Sequence, residues 1–353
     1  CSVAARVYRE QRTIVYDPEE VEDAPGDCGG DRGYRGRAYL SVPICYGAPG
    51  SPLRCIGVIN LTDRIGGRMT NSPRMREAER WTQQQYREWG LDNVHAEGFE
   101  FGRGWSINEA SARMLTPREL ELRIIPVAWT PGTNGTIRAP IIVAPIDEAE
   151  DFAEWRGKIN GKIVLVSHPG TGSEPDQPAF RRLTSEDLSK LDVYRQPEHE
   201  AEPDDGRLER RNFPMELDAF LRSEGALAWV RMSYRDGGLL HGAGYTHRAG
   251  ETPTLPGIEM AAEDYRRLAR LAKTDASPTL ELMSDVQFHD EDMNAYNIFA
   301  DIPGTTGNGE YVMAGAHLDS WAAADGAVDN ASGSAVVMEA ARILKSLGVR
   351  PKR

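Results

Sequence analysis

Cysteine is scarce in this chain, and its distribution restricts the possible metal sites. All four cysteines lie in the first 55 residues, at Cys1, Cys28, Cys45 and Cys55. A disulfide or a thiolate metal site is therefore excluded from residue 56 onward. Any metal centre in that part of the chain must be built from histidines and carboxylates.

Positive charge and long apolar runs are also lacking. The chain has 41 Lys and Arg against 54 Asp and Glu, a net charge of −13. Nucleic acids and anionic membranes attract cationic surfaces, so this balance argues against both partners. No apolar run approaches the roughly 18 residues that a membrane span requires. The remaining composition, with 40% hydrophobic residues over 353 positions, predicts a soluble protein of two or three domains.

The first 62 residues have strand-like runs separated by loops rich in Gly, Pro and Asp. The strings YLSVPI and CIGVINL in this stretch resemble the later strands of a GAF domain, a small sensory α/β module. The resemblance implies a partial GAF-like segment over residues 1–62, and an unspecialised β-rich extension is the alternative.

A second pattern begins near residue 63. Ser72 is a good helix cap and Pro73 suits the first helical position, and apolar residues then recur at helical spacing up to Gly90. A strand is predicted over 93–101.

Between residues 116 and 256 the texture is β-rich. The polar tract 170–211 is predicted to be a solvated, mobile loop, because it has little to bury. The string RGKINGKIVLVSHPG resembles the protease-associated (PA) domain, which implies a PA-like insert over 116–256 without chemistry of its own. Short apolar strands separated by Pro and Gly loops are predicted at 124–127, 141–143, 162–166 and 226–230.

The last hundred residues alternate strands and helices, which is the signature of an α/β fold. The patterns predict a helix at 261–272, an edge strand at 280–282, strands at 296–302 and 311–316, and a final helix at 330–347.

The loop after the strand predicted to end at Ala316 carries the residues best suited to chemistry, since ligands of open α/β sheets collect beyond the carboxyl ends of strands. His317 and Asp319 alternate as in a strand, so Asp319 can accept the imidazole N–H that faces away from a metal. Asp329 lies at the start of the next helix, where a carboxylate is favoured and its two oxygens can bridge two cations. On these residues alone, a strand-end His and a helix-capping Asp are an equally good interpretation.

The surrounding strings carry a stronger signal. YNIFADIPGT, EYVMAGAHLDSW and GAVDNASGSAVVMEAARILKSLG resemble the di-zinc exopeptidases of metallopeptidase family twenty-eight, which include leucyl-type aminopeptidases and glutamate carboxypeptidase. TDRIGGRMTNSPRMREAERWTQQQYREWGL and FEFGRGW resemble the amino-terminal part of the same family, so the likeness spans residues 60–353. It implies an α/β fold with an incomplete phosphorylase/hydrolase-like zinc-peptidase sheet. The implied domains are a partial GAF-like segment, the first part of the peptidase domain, a PA-like insert and the first half of the peptidase core, over 1–62, 63–115, 116–256 and 257–353.

The resemblance also implies roles for the loop residues. His317 would bind one zinc, Asp329 would bridge two zinc ions, and Asp319 would be the catalytic carboxylate behind His317. The substrate would be a peptide hydrolysed at its terminus, and no oligomeric state is implied. Secretion or a periplasmic location is the expectation by resemblance, with a cytoplasmic one if the GAF-like part is genuine.

The sequence departs from the family in one respect. Members carry a Glu-Glu pair, a further acidic ligand and a final His beyond this helix, whereas the chain stops at Arg353 and its only Glu-Glu is Glu19-Glu20, which is not assigned that role. With no Met or signal region at Cys1 either, the sequence predicts an inactive fragment open at both ends. Two alternatives are a sensory or binding protein built on the GAF-like part, and a junction of two unrelated genes near 61–67. The other six histidines are predicted to be surface or hydrogen-bonded residues.

Overall fold

The structure is a computed structural model that describes residues 60–172, 184–191, 207–242, 250–307, 309–348 and 350–352, with four short strands before residue 60. Most of the GAF-like segment, Glu19-Glu20, His199 and His247 lie outside the described residues. The chain divides into two compact units, one formed by 1–106 with 288–353 and the other by 107–287.

The strands and helices are numbered in chain order. The strands are β1 (Ile14–Tyr16), β2 (Tyr39–Ser41), β3 (Cys45–Tyr46), β4 (Arg54–Cys55), β5 (Asp92–Glu100), β6 (Gly104–Thr116), β7 (Leu120–Leu122), β8 (Ile124–Pro126), β9 (Ile137–Val143), β10 (Ile163–Leu165), β11 (Ala228–Met232), β12 (Gly257–Met260), β13 (Thr279–His289) and β14 (Asn294–Asp301). The helices are α1 (Pro73–Glu88), α2 (Phe152–Trp155), α3 (Ser185–Leu191), α4 (Arg207–Ser223), α5 (Ala262–Leu271) and α6 (Ser332–Ser346). π-helical turns at Asn60–Ile65 and Ala327–Ala331 and a 3₁₀ turn at Ala149–Asp151 complete the described elements.

In the first unit, the predicted capped helix is confirmed as α1. The Ser72 side chain accepts a hydrogen bond from the N–H of Met75 at 3.2 Å, with Pro73 at the first helical position. This satisfies one of the N–H groups that a helix start leaves unpaired. The predicted strand after the helix is β5, which pairs antiparallel with β14.

Helices α1 and α6 share an apolar core that anchors the loop between β14 and α6. Tyr86 of α1 and Met338 of α6 are buried in one cluster. Ala78 of α1 is buried in a second cluster with Ile65 and with Ala331, the residue that precedes α6. The start of α6, and with it the predicted site loop, is therefore fixed by packing.

The predicted strand at 311–316 is wrong. No strand is assigned there, and Tyr311, Val312 and Met313 are 79%, 81% and 72% exposed. A strand needs a neighbour for its backbone N–H and C=O groups. In the described part of this unit, β14 pairs with β5 in a two-stranded sheet that does not include 311–316. Residues 311–316 have an apolar pattern, but no strand among the described residues pairs with them.

The second unit is built on an eight-stranded sheet in the order β7-β6-β13-β9-β10-β11-β12-β8. The four strands β9 to β12 run parallel, and antiparallel neighbours flank them. Parallel strands with both faces covered read as continuous apolar runs, as the sequence does here. Ile163 and Leu165 of β10 pack in the cluster of Tyr265 from α5. Val164 packs in the opposite cluster with Leu221 from α4.

Two details of this unit differ from the sequence expectations. The segment predicted as an edge strand at 280–282 is part of β13, which lies between β6 and β9 inside the sheet. The tract 170–211 was predicted as a loop, but it contains α3 and the first turn of α4, while 173–183 and 192–206 lie outside the described residues. The residues of this tract that form helices are mostly charged, so they show little apolar periodicity.

The predicted insert 116–256 lies inside the second unit, which also takes in β12, α5 and nearly all of β13. The second unit extends beyond the predicted insert because β12 pairs parallel with β11 in the same sheet. The likeness of residues 116–256 to a PA domain stays a prediction. None of the helices in the described residues is long and apolar enough to cross a membrane.

A buried carboxylate stabilises the second unit. Glu259 on β12 is 2% exposed. It accepts hydrogen bonds from the Arg231 guanidinium at 2.8 Å and from the N–H of His241 at 2.6 Å. Burial opposes ionisation of this carboxyl, but the His241 N–H and the Arg231 charge outweigh burial and hold the pKa of Glu259 below its usual range.

Replacing Glu259 by Gln is expected to lower the free energy of unfolding at pH 7 by about 1–3 kcal/mol, because Arg231 loses its charged acceptor. A lowered native pKa contributes stability that is present above the unfolded pKa and is lost as pH falls through the native pKa. The deficit should therefore shrink as the pH is lowered below about 4.3. Urea unfolding at a series of pH values measures it. Glu154→Gln, which changes an exposed carboxylate of the same unit, is the control. If the difference in unfolding free energy did not change with pH, the lowered pKa of Glu259 would be contradicted.

Candidate metal centre

Three predicted site residues meet in the loop between β14 and α6. The Nδ1 of His317 lies 3.0 Å from Oδ1 of Asp319, and its Nε2 lies 2.9 Å from Oδ1 of Asp329. One imidazole thus sits between two carboxylates. Asp319 on Nδ1 fixes the ring orientation, so Nε2 is the nitrogen directed toward Asp329. The Oγ of Ser334 donates to the carbonyl of His317 at 2.9 Å and links the loop to α6.

Two glycines shape the turn that carries Asp329. Gly326 has φ of +63°, and a Cβ there would collide with the Ser320 side chain. A Cβ on Gly333 would collide with the amide of Asn330. Asp329 itself has φ −119° and ψ 88°, outside the helical region. The carboxylate of Asp329 is therefore carried by a non-helical turn directly before α6.

Two further residues contact the site loop, and neither was singled out by its sequence pattern. The hydroxyl of Thr70 donates to Oδ2 of Asp319 at 2.6 Å. The side chain of Arg68 is fully buried and donates to carbonyls of the site loop, including that of Leu318 at 2.6 Å and that of Asp325 at 2.6 Å. Burial lowers the pKa of Arg68, while the nearby carboxylates of Asp319 and Asp325 oppose that shift.

The donor set fits one half of a zinc site. Imidazole nitrogen and carboxylate oxygen are zinc ligands, and Nε2 of His317 and Oδ1 of Asp329 face each other. The side chains of His317 and Asp329 are 55% and 71% exposed, so a cation can reach both. Zinc binds about four ligands, and the described residues contain no group of three or more His, Cys, Asp and Glu placed to hold a metal. The remaining ligands would have to come from other residues.

The other four histidines within the described ranges are hydrogen bonded or paired, in line with the prediction for them. His95 contacts the carbonyl of Asn93, and this bond is the largest cause of its raised pKa. His168 lies 3.2 Å from Asp147. The last two contact hydroxyl groups: His241 that of Tyr234 and His289 that of Ser106.

Comparison with known proteins shows which family the site loop is similar to. The model of peptidase family M28 matches residues 297–353, which contain His317, Asp319 and Asp329. The predicted resemblance to the zinc exopeptidases of this family is confirmed over these residues.

Individual relatives extend the likeness along the chain. Carboxypeptidase Q of the mouse is 25% identical over 358 residues, covering 99% of this chain and 64% of the mouse protein. The human protein of that name is 25% identical over 342 residues, covering 95% of this chain and 62% of its own length. The chain thus spans less than two thirds of these curated relatives. Because the mouse alignment includes nearly all of residues 1–62, a junction of unrelated genes is not favoured.

Solved structures confirm the α/β fold class. A crystal structure of a peptidase M28 precursor from Shewanella amazonensis has a TM-score of 0.58 at 22% identity, covering 84% of this chain and 60% of that one. A zinc aminopeptidase from Bacillus subtilis has a TM-score of 0.50 at 18% identity, covering 82% of this chain and 56% of that one. At these identities the likeness establishes the fold, and the chemistry must be argued from the residues.

Proposed function

We propose that this chain is part of a zinc exopeptidase that hydrolyses terminal peptide bonds. The observation that carries the proposal is the imidazole of His317 held between Asp319 and Asp329, inside the stretch matched by the M28 model. A lone His-x-Asp would be weak support, but here the two carboxylates engage the two different ring nitrogens.

Each residue has a separate role in this proposal. His317 binds one zinc through Nε2, and Asp319 keeps the proton on Nδ1 so that Nε2 is free to bind. Asp329 would hold the zinc with its exposed carboxylate, and its two oxygens would allow it to serve two ions. Asp319 is a positioning group for the ligand His317. Bound zinc would supply Lewis-acid chemistry there, acidifying a water molecule and polarising the scissile carbonyl.

The remaining ligands and the general base are expected in a continuation of the chain, as a Glu-Glu pair, an acidic residue and a His. This expectation comes from the family pattern. A location outside the cytoplasm rests on the same resemblance and stays a prediction. Relatives named both carboxypeptidase and zinc aminopeptidase support exopeptidase action without fixing its direction.

The test uses the natural full-length protein that contains this chain. It should contain about two zinc ions per molecule by elemental analysis and lose its activity on chelation. Peptides blocked at only one end give the direction: an aminopeptidase cleaves those with a free amino terminus, and a carboxypeptidase those with a free carboxyl terminus. A full-length protein that binds no zinc and cleaves neither set would refute the proposal and favour the binding-protein alternative.

A further inference from the structure

The buried guanidinium of Arg68 is an unexpected feature of the first unit. Arg is almost never fully buried unless it is paired. The acceptors around its side chain are backbone carbonyls rather than a carboxylate. They belong to Leu61, Gly66, Leu318, Asp325 and Gly326, at 2.6–3.2 Å. All five N–H donors of a guanidinium are directed by its rigid plane, so this geometry fixes the carbonyls relative to one another.

Three of these carbonyls are in the site loop. Leu318 lies between His317 and Asp319, and its carbonyl accepts from Nε of Arg68. Those of Asp325 and Gly326 lie just before the turn that carries Asp329 and accept from Nη1 and Nη2. One planar group thus connects the backbone beside His317 to the backbone just before the turn that carries Asp329.

The neighbours of Arg68 reinforce this connection. The N–H of Arg68 donates to Oγ of Ser320 at 3.1 Å, and the N–H of Ser320 donates to the carbonyl of Arg68 at 3.1 Å. Two residues further on, Thr70 donates to Asp319. The segment 68–70 therefore runs beside the loop and contacts it through backbone and side chains.

We propose that Arg68 is a positioning residue for the metal centre, setting the separation of His317 and Asp329 by fixing the carbonyls of Leu318, Asp325 and Gly326. This inference rests on the proposed function, since it assumes that the two side chains are ligands. Arg68 does not touch the metal or the substrate. Arg68 orients the ligand side chains in the metal-free protein, as outer-shell groups do in metal sites.

The experiment compares Arg68→Lys with Arg64→Lys in the full-length protein. Lys keeps the charge but presents one ammonium, which cannot reach carbonyls on both sides as the guanidinium fork does. Arg64 is exposed in the turn Asn60–Ile65, four residues before Arg68, so its replacement is a matched control. Zinc affinity is measured by competition with a chelator. The zinc affinity of Arg68→Lys should fall roughly 10–100-fold, which is the range for outer-shell changes. The zinc affinity of Arg64→Lys should equal that of the wild type.

A second measurement separates positioning from general stability and does not need zinc. In the metal-free protein, hydrogen exchange should accelerate at Ser320 and Ala331, whose N–H groups bond to Arg68 and Gly326. Exchange within α1 and β5 should stay as in the wild type. Acceleration throughout the unit would mean a purely structural role and would overturn the inference.

The outcomes distinguish the two proposals. Wild-type protein that binds no zinc refutes the proposed function, and the inference about ligand positioning with it. Normal zinc binding with no loss in Arg68→Lys refutes the inference alone. If Arg68→Lys does not fold, Arg68→Gln is measured in the same way, and failure of both to fold also counts against the positioning role.

Discussion

Replacing Asp329 by Ala in the full-length protein should reduce zinc affinity by more than the roughly 10–100-fold that outer-shell changes cost, and abolish peptidase activity. The reason is that Asp329 is assigned as a ligand of both ions, so its loss removes one ligand from each. Its carboxylate is exposed, and its 2.9 Å contact with Nε2 of His317 is the one that a cation would replace. Elemental analysis after dialysis and a chelator titration measure the loss.

The matched control for this variant is Asp325→Ala. It removes the same charge from the same loop, leaves both carboxylates beside His317 in place, and keeps the backbone carbonyl that Arg68 binds. Zinc content should then stay at the wild-type value. Equal zinc content in Asp329→Ala and wild type would remove the bridging role and leave Asp329 as a residue of the helix start.

Replacing Asp319 by Asn should weaken zinc binding by roughly 10–100-fold while the protein stays folded. Asn can still accept one hydrogen bond, but it has lost the charge that favours the proton on Nδ1 of His317 and strengthens Nε2 as a ligand. Its amide group can also present a donor to Nδ1, which favours the wrong tautomer. Nitrogen NMR of the His317 ring reports the tautomer, and chelator competition reports the affinity.

Thr70→Val provides the comparison for Asp319→Asn. It removes the hydroxyl that donates to Oδ2 of Asp319 and leaves the carboxylate and its contact with His317 in place. Thr70→Val is expected to lose less zinc affinity than Asp319→Asn and to keep the wild-type tautomer of His317. An unchanged tautomer and unchanged affinity in Asp319→Asn would contradict the supporting role of this carboxylate.

The local parts of the structure were the parts that the sequence could predict. Helix α1 is specified by Ser72, Pro73 and a period of apolar residues, all within a few turns of one another. The contact of His317 with Asp319 follows from spacing of two residues. His317 and Asp329 lie in the same loop, so their contact is also local in the sequence.

The features that were missed depend on residues far apart in the chain. Arg68 acts on carbonyls about 250 residues away, and a backbone carbonyl has no signature in the sequence. The strand predicted at 311–316 has the right pattern, but pattern does not supply a neighbouring strand. The position of 280–282 inside a sheet depends on the pairing of β13 with β9, which local composition does not encode.

The division of the chain also dictates an order of assembly during synthesis. Strand β5 ends at residue 100 and its partner β14 begins at 294, with the whole of Ile107–Gln287 between them. Ribosomes deliver residues from the amino terminus, and domains fold as units as they emerge. The unit that contains β5 and β14 therefore cannot be completed until residues beyond 287 have been made, by which point all of Ile107–Gln287 has already been synthesised.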